Sequence, residues 1–571
     1  MPSSTMSKGV GKIKSFFPIT QWLPTYNRKY LKSDIISGIT VGAILIPAAM
    51  GYADLAGLPV QYGLYAAMVA TLVYFVFGTS HHLILGPSSG PSAMLAGALL
   101  ALGITDPSTY AAMAAVTAIL VGAIFIGARI VRLGFVVNFI SDTVLAGFQV
   151  GVGLYVISTQ LDKLLGISGA SGEFFERVVY VVENIGESNL PTLLFGLAGM
   201  GFLILGNRYF KKLPNKLILV IAATVIMSIT NLEALGIKVA GFIPNGLPSF
   251  TIPSVTTSQV LSVLPLAFGL FLLAYVEGIA AAKNFAKRNG YAIDSNQELV
   301  GFGVPQIVTG LFQGFPVDAS YSNSTVNEES GGKTQLSSAI AGVLIAVVLL
   351  LFATFFSSLP QTIIAAVIII AAFSLVNLKE ILSIYRFDRM EFVFAITALF
   401  GVLIFGLLQG VLIGAIVTFV ALLYRAANPY IATLGRLPGT DDFADIKRRP
   451  QSETTPGVLV VRVNGPVFFP NVEGIKDNIL RMIQNSREQV KLVVLTLSAS
   501  YYLDMSAVSM LRDLYEELAT QGITLRVAEA TAQVRDKLRK GGLDNIFGEF
   551  GPTVDIDYAI RSWQQNEEKK A

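Results

Sequence analysis

The stretch LILGPSSGPSAMLAG, Leu83 to Gly97, falls where a membrane span is due, yet it carries two prolines, three serines and glycine between apolar flanks. In hydrocarbon an unpaired backbone N–H or C=O costs several kcal/mol, so a broken span survives only where protein or a water-filled cavity surrounds it. A second break, GFPVDASYSNSTVNEESGG, runs from Gly314 to Gly332 in the other half of the chain. Paired interruptions at corresponding places in two halves are the signature of an inverted-repeat transporter. Read that way, the stretches are the third and tenth of about fourteen transmembrane elements, and their helices begin head to head near the membrane midplane. Helix N-termini present free N–H groups and a positive dipole end. Ser88 and Ser89 on one side, and Ser320, Ser322 and Ser324 on the other, add hydroxyl donors suited to an oxyanion. Close packing of small residues is the plain alternative for one such stretch; two at corresponding positions favour a small-anion site.

The remaining composition agrees. The chain has 571 residues, 53% of them hydrophobic and 14% charged, with a mean hydropathy of +0.62, outside the range of soluble globular chains. Apolar segments long enough for a bilayer lie near 35–55, 62–79, 109–128, 134–157, 192–207, 215–230, 259–282, 335–356, 361–376, 389–407 and 409–425. Interrupted stretches near 84–104, 297–314 and 317–330 complete the set. The absence of Cys excludes disulfides and thiolate chemistry. With 41 basic and 38 acidic residues there is no argument for a nucleic-acid partner. No cofactor is implied, and His81 and His82, the only histidines, are adjacent and share no helix face, so a metal site is not expected.

Charge orients the chain. Lys8, Lys12, Lys14, Arg28, Lys29 and Lys32 precede the first acid, Asp34, which places the N-terminus in the cytoplasm by the positive-inside rule. Arg129 and Arg132, then Arg208, Lys211, Lys212 and Lys216, then Lys283, Lys287 and Arg288, and finally Lys379, Arg386 and Arg389 all follow even-numbered elements, as an inside start requires. An even number of elements leaves both termini cytoplasmic, in a multi-pass protein of the cell (inner) membrane.

After Tyr424 strands alternate with helices: GVLVVRVNGPVFFP reads as two short strands before an amphipathic helix, and QVKLVVLTL and ITLRVAEA as further strands, each followed by a helix. The expected division is a cytoplasmic arm over 1–33, a transmembrane anion-transport domain over 34–426, a linker over 427–456, a small α/β domain over 457–565 and a polar tail over 566–571.

DIISGITVGAILIPAAMGYADLAGLPVQYGLYAA (Asp34–Ala67), FGTSHHLILGPSSGPSAML (Phe77–Leu95), KNFAKRNGYAIDSNQELVGFG (Lys283–Gly303) and ASYSNSTVNEESGGKTQLS (Ala319–Ser337) resemble the sulfate permease (SulP) family of anion transporters, and YYLDMSAVSML (Tyr501–Leu511) resembles its STAS domain. The resemblance implies a mainly α membrane protein with a seven-plus-seven inverted repeat divided into core and gate domains, a cytoplasmic α/β STAS domain, and a homodimer. It places the anion between the third and tenth elements, with Tyr52, Ser88, Ser89, Tyr321, Ser322 and Asn323 lining it. Two departures matter: Pro47 and Ala48 stand where many members have Pro-Gln, and Ser322, Asn323, Ser324 stand where many have Ser-Arg-Ser.

Without that arginine the anion lacks a fixed countercharge, and a buried uncompensated charge is costly. Glu277, deep in the eighth apolar span, is the residue expected to hold a coupling sodium ion or proton, because an intramembrane carboxylate is a functional hypothesis by default. The function so read is secondary active transport of sulfate or bicarbonate by alternating access, probed against three alternatives: a dicarboxylate or nucleobase carrier of the same fold, an anion exchanger, and a membrane scaffold whose STAS domain recruits a cytoplasmic protein. No catalytic constellation is present, so the chain reads as a carrier and not an enzyme. Asp34 and Ser506 are read as helix N-caps, Asp142 as opening a turn, Asp318 as capping or lining the outer end of the tenth element, and Glu328 and Glu329 as solvated.

Overall fold

The structure is a computed structural model that describes residues 16–131, 141–170, 172–210, 214–230, 232–547, 551 and 553–570. Lys8, Lys12, Lys14, Arg132, Lys211 and Lys212, and the start of the 134–157 span, lie outside the described residues.

The apolar segments fold as helices α1 (Leu31–Leu55), α2 (Val60–Phe77), α3 (Ser89–Ala101), α4 (Pro107–Ile130), α5 (Asp142–Ser158), α6 (Leu190–Tyr209), α7 (Asn215–Ile229), α8 (Leu264–Asn289), α9 (Ser295–Leu311), α10 (Tyr321–Glu329), α11 (Leu336–Leu351), α12 (Gln361–Phe373), α13 (Arg389–Phe405) and α14 (Leu407–Ala427). The expected break near 297–314 is absent: α9 runs through Pro305 without interruption. Its neighbour α4 comes close enough to support it, since a Cβ on Gly122 would stand 2.5 Å from the carbonyl oxygen of Gly303, and one on Gly310 2.5 Å from that of Ala115. Pro47 likewise lies inside a continuous helix, α1, where it leaves one carbonyl without its N–H partner.

Two groups emerge from the packing. Helices α1, α2, α4, α8, α9 and α11 pack on one another and carry α3 and α10, while α5, α6, α7, α12 and α13 form a second group. Glycine makes the tightest joints within each: Gly63 of α2 lies against the Ala49 carbonyl of α1, and Gly147 of α5 against the Ala395 carbonyl of α13. These groups correspond to the core and gate of the inverted repeat.

Residues from Phe419 onward form a separate compact unit. Its sheet comprises β3 (Tyr430–Arg436), β4 (Phe443–Asp445), β5 (Val458–Asn464), β6 (Leu492–Thr496) and β7 (Thr524–Ala528) in the order β4-β3-β5-β6-β7. β5, β6 and β7 are parallel, with Val460 opposite Val494 and Val494 opposite Arg526, whereas β3 runs antiparallel to β5 and β4. Residues 427–456, expected as a linker, therefore supply two strands of the sheet. YIATLGR is too short an apolar run among charged neighbours to stand out by composition, and pairing with β5 decides it. The second strand expected before Pro470 reduces to a single bridge between Val467 and Leu503. Residues 566–570 continue a helix that spans Ile556–Lys570, so the tail is helical. Asp504, not Ser506, caps the Met505–Thr520 helix, its carboxylate accepting from Ala507 N at 2.9 Å.

Candidate anion site

Immediately before each half-helix lies a two-residue strand: β1 (Leu85–Gly86) before α3 and β2 (Asp318–Ala319) before α10. The strands pair antiparallel, Leu85 opposite Ala319 and Gly86 opposite Asp318. Ser320 N extends the ladder to the Ile84 carbonyl at 3.0 Å. The Ser324 hydroxyl accepts from Ile84 N at 2.9 Å and donates to the Ser320 carbonyl at 2.7 Å. Gln306 of α9 holds the adjoining residue at both ends, its amide donating to Val317 O at 2.6 Å and accepting from Val317 N at 3.0 Å. Protein thus satisfies the broken backbone, as hydrocarbon demands.

With 13 and 9 residues, α3 and α10 are about 20 and 13 Å long, together close to the ~30 Å of a bilayer core. The end of α10 leaves toward the start of α1, where the Ser37 hydroxyl donates to the Asn327 carbonyl at 2.8 Å. The end of α3 leaves toward the other end of α1, where Ala96 and Leu100 line a cavity of about 500 Å³ with Asp54, Tyr155, Lys163 and Arg177. The two N-termini therefore face each other, with α1 packed on both half-helices and α8 packed on α3, β2 and α10.

The sequence-derived residues take different places around this point. Ser88 is the N-cap of α3, but its side chain makes no capping bond; its hydroxyl oxygen is buried without a partner among the described residues, as is that of Ser92 one turn on. Ser89 follows, half-buried. Asn323 is buried, and its N–H donates at 3.3 Å to Ser320, the N-cap of α10. Tyr321 is 47% exposed, its ring 5.2 Å from that of Phe285 and its hydroxyl accepting from the Asn284 amide at 3.3 Å. Ser322 is exposed, whereas Ser320 and Ser324 are occupied in cap and ladder. Tyr52 is half-buried near the end of α1, packed against the apolar core. No Lys or Arg occurs in residues 35–57, 83–98, 264–282 or 314–332, so dipoles and hydroxyls are the positive features here.

Glu277 of α8 contacts Asp318 of β2 and Gln149 of α5 through its side chain. Sequence reasoning set Asp318 at the outer end of the tenth element; it sits instead in the ladder, 3% exposed, with Oδ1 accepting from Ala319 N at 2.6 Å. The reason is that the half-helix starts at Tyr321, three residues later, rather than at the membrane surface. Gly90 brings α3 to the same face of α8, since a Cβ there would lie 3.3 Å from Leu273, one turn before Glu277. Two carboxyl groups in contact away from water do not both carry bare charge; a shared proton or a bound cation resolves them.

Three further expectations are corrected. Asp34 is not an N-cap: it lies within α1 and reaches the 333–334 loop, accepting from Lys333 N at 2.7 Å and Thr334 N at 3.1 Å. Asp142 is the first residue of α5, after its N-cap Ser141. Glu328 is not simply solvated but pairs with Arg288 at 3.0 Å, joining α10 to the end of α8.

Residues 31–398 match the sulfate permease family and residues 449–556 the STAS domain. The chain is 32% identical over 540 residues to a probable sulfate transporter of Mycobacterium tuberculosis, covering 95% of this chain and 96% of that one. It is 33% identical to the chloroplastic sulfate transporter 4.1 of Arabidopsis thaliana, covering 96% and 82% respectively. Among solved structures, murine Solute Carrier 26 family member A9, an anion transporter in the inward-facing state, superposes with a TM-score of 0.89 at 22% identity over 97% of this chain and 95% of that one. The transmembrane domain of the cyanobacterial bicarbonate transporter BicA gives 0.60 at 23% identity, covering 69% and 98%. A multi-pass membrane transporter is the class so defined. The chain belongs to the sulfate permease family of anion transporters, with a C-terminal STAS domain.

Proposed function

We infer that this protein moves a small inorganic oxyanion, sulfate or bicarbonate, by alternating access, with a sodium ion or proton at Glu277 as the coupling cation. The observation that carries the reading is the meeting of the α3 and α10 N-termini at the β1–β2 ladder, where neither half-helix carries a Lys or Arg. The anion would rest on the first-turn N–H groups, on Ser88, Ser89, Ser322 and Asn323, and on the aromatic edges of Tyr52 and Tyr321. The relatives named for sulfate and the structural neighbour named for bicarbonate support both substrates equally. Asp318 beside Glu277 supports a proton or cation in the coupling role, since two neighbouring carboxyls are relieved by a shared proton or a bound cation. The same reading puts both termini in the cytoplasm of a cell-membrane protein, pairs the chain as a homodimer and leaves the STAS domain for a cytoplasmic partner.

Counterflow into proteoliposomes with sulfate, bicarbonate, chloride and fumarate side by side, under imposed sodium or proton gradients, tests the proposal. Concentrative uptake of sulfate or bicarbonate is expected. Preference for fumarate would mark a dicarboxylate carrier, equal uptake with every cation gradient collapsed would mark an exchanger, and no saturable flux or binding would leave the scaffold reading.

A further inference from the structure

Two buried carboxylates outside the anion site have the same set of donors. Asp34, fully buried on α1, accepts from the N–H groups of Lys333 (2.7 Å) and Thr334 (3.1 Å), from the Thr334 hydroxyl (2.7 Å) and from the Tyr26 hydroxyl (3.0 Å). Glu298, fully buried on α9, accepts from the N–H groups of Thr79 (2.6 Å) and Ser80 (3.1 Å), from the Thr79 hydroxyl (2.5 Å) and from the Tyr74 hydroxyl (2.9 Å). Each clasps a loop: Asp34 the one that follows α10, Glu298 the one that leads into β1 and α3. A carboxylate with four donors satisfies the acceptor capacity of its two oxygens, which is what permits it to be buried charged.

A side-chain chain joins the clasps. The Ser80 hydroxyl and Tyr291 hydroxyl lie 3.1 Å apart, Tyr291 lies 3.2 Å from His82 Nδ1, and His82 Nε2 lies 3.0 Å from the Gly332 carbonyl, next to the loop that Asp34 holds. His82 donates through Nε2 to that carbonyl, which leaves Nδ1 to accept from Tyr291. The His82 carbonyl also accepts from the Asn327 amide at 3.0 Å, and Asn327 Oδ1 accepts from Ser37 of α1 at 2.7 Å. His81 stacks on the Tyr291 ring at 4.2 Å and fixes its plane.

We propose that Asp34, Glu298 and the His82–Tyr291 bridge are positioning residues for the anion site: they set the separation and alignment of the two half-helices from the end where α10 exits. This deepens the functional reading above and rests on it. The ladder alone is two residue pairs long and resists little shear; the bridge ties the loop before α3 to the loop after α10, so the gap between the facing N-termini is held from both sides. Two N–H arrays misplaced by a fraction of an ångström lose oxyanion affinity without loss of fold.

The test uses the full-length purified protein, with sulfate and bicarbonate as probes in calorimetry and in proteoliposome uptake. Tyr291→Phe removes one hydroxyl and keeps the His81 stack, and His82→Phe keeps a ring but removes both nitrogens, and with them the bonds to Tyr291 and Gly332. Each is expected to weaken anion Kd and raise KM by roughly three- to tenfold, the worth of about one hydrogen bond, with the saturating rate and unfolding midpoint near wild type. The double variant is expected to be no worse than the poorer single one, because both break the same bridge. Kd within twofold of wild type for both single variants overturns the proposal, as does a lowered unfolding midpoint or saturating rate with Kd unchanged. Wild-type protein that binds neither anion overturns the functional reading instead, so the two failures are distinct.

Discussion

Lys163 Nζ lies 2.5 Å from Asp54 Oδ2, an ion pair that joins the end of α1 in the core to the short helix after α5 in the gate. It stands at the end where α3 exits, away from the start of α10, where Tyr321 and Ser322 are exposed.

If this contact opens in the transport cycle, fixing it stops transport. Because the chain has no Cys, Asp54→Cys with Lys163→Cys provides the only two thiols. Joining them with a short reducible linker is expected to abolish uptake, and reductant to restore it. Uptake at the uncrosslinked rate in fully linked protein would show that the two groups do not separate there.

Glu277→Gln keeps the contacts with Asp318 and Gln149 but removes one charge and its titration. Gradient-driven accumulation is expected to fall at least tenfold, while exchange at equal anion concentrations survives. Asp318→Asn is expected to weaken the dependence on the cation more mildly, because Ala319 N still finds an acceptor. Undiminished concentrative uptake by Glu277→Gln would reduce it to a structural acid.

Asn323→Arg places a guanidinium at the start of α10, which here carries none. It is expected to permit anion binding with the cation removed, by pairing bidentately with the oxyanion. Sulfate calorimetry in sodium-free buffer at several pH values measures this. Binding that keeps its full cation dependence would place the anion away from α10.

The sequence made the broken elements legible because proline, glycine and serine inside hydrocarbon have few permitted uses. It also made the pairing of α3 with α10 legible, because the breaks recur at corresponding places in the halves. Asp318 was misjudged because one residue's depth depends on where a helix starts, and Tyr321 begins α10 deep in the fold rather than at its edge. Glu298 and Asp34 are not legible as clasps in the sequence because two donors of each are main-chain groups over two hundred residues away, and main-chain groups leave no signature in side-chain identity. The strand at Tyr430–Arg436 was lost for the related reason that its partner, β5, supplies the evidence.

The Asp445 carboxylate, nearly buried in the STAS domain, accepts from the Tyr430 hydroxyl at 2.6 Å and from Lys447 N at 2.9 Å. Donation from Tyr430, ahead of the other contributions, holds this carboxyl below its usual range. A depressed carboxyl contributes stability that is complete above the unfolded value and is lost as pH falls through the folded one. Tyr430→Phe is therefore expected to move acid unfolding of residues 428–571 to higher pH. An acid limb identical to wild type in circular dichroism would contradict it.

The same strand determines where the chain tolerates cutting. Truncation near residue 440 strands β3 without β5, whereas truncation after Ala427 removes the sheet whole. The shorter membrane unit is expected to bind sulfate within about threefold of the full chain, with lower assembly or transport. Loss of binding in well-folded material would mean that the STAS domain helps to build the site.

A bearing needs surfaces that touch without meshing. Within each helix group glycine lets backbone rest on backbone, as Gly63 does on Ala49 and Gly147 on Ala395, and such joints lock. Between the groups α1 meets α12 differently: Gly51 presents a flat spot to the flexible ends of Ile364 and Ile368, with 3.1 Å from its would-be Cβ to the nearest atom. Sliding there breaks no hydrogen bond and uncovers no polar atom. The resistance to motion is then concentrated at the few polar contacts that cross the seam, Lys163 with Asp54 and Gln149 with Glu277. One of these holds Glu277, so under the proposed coupling, loading the cation and releasing the brake would become one event.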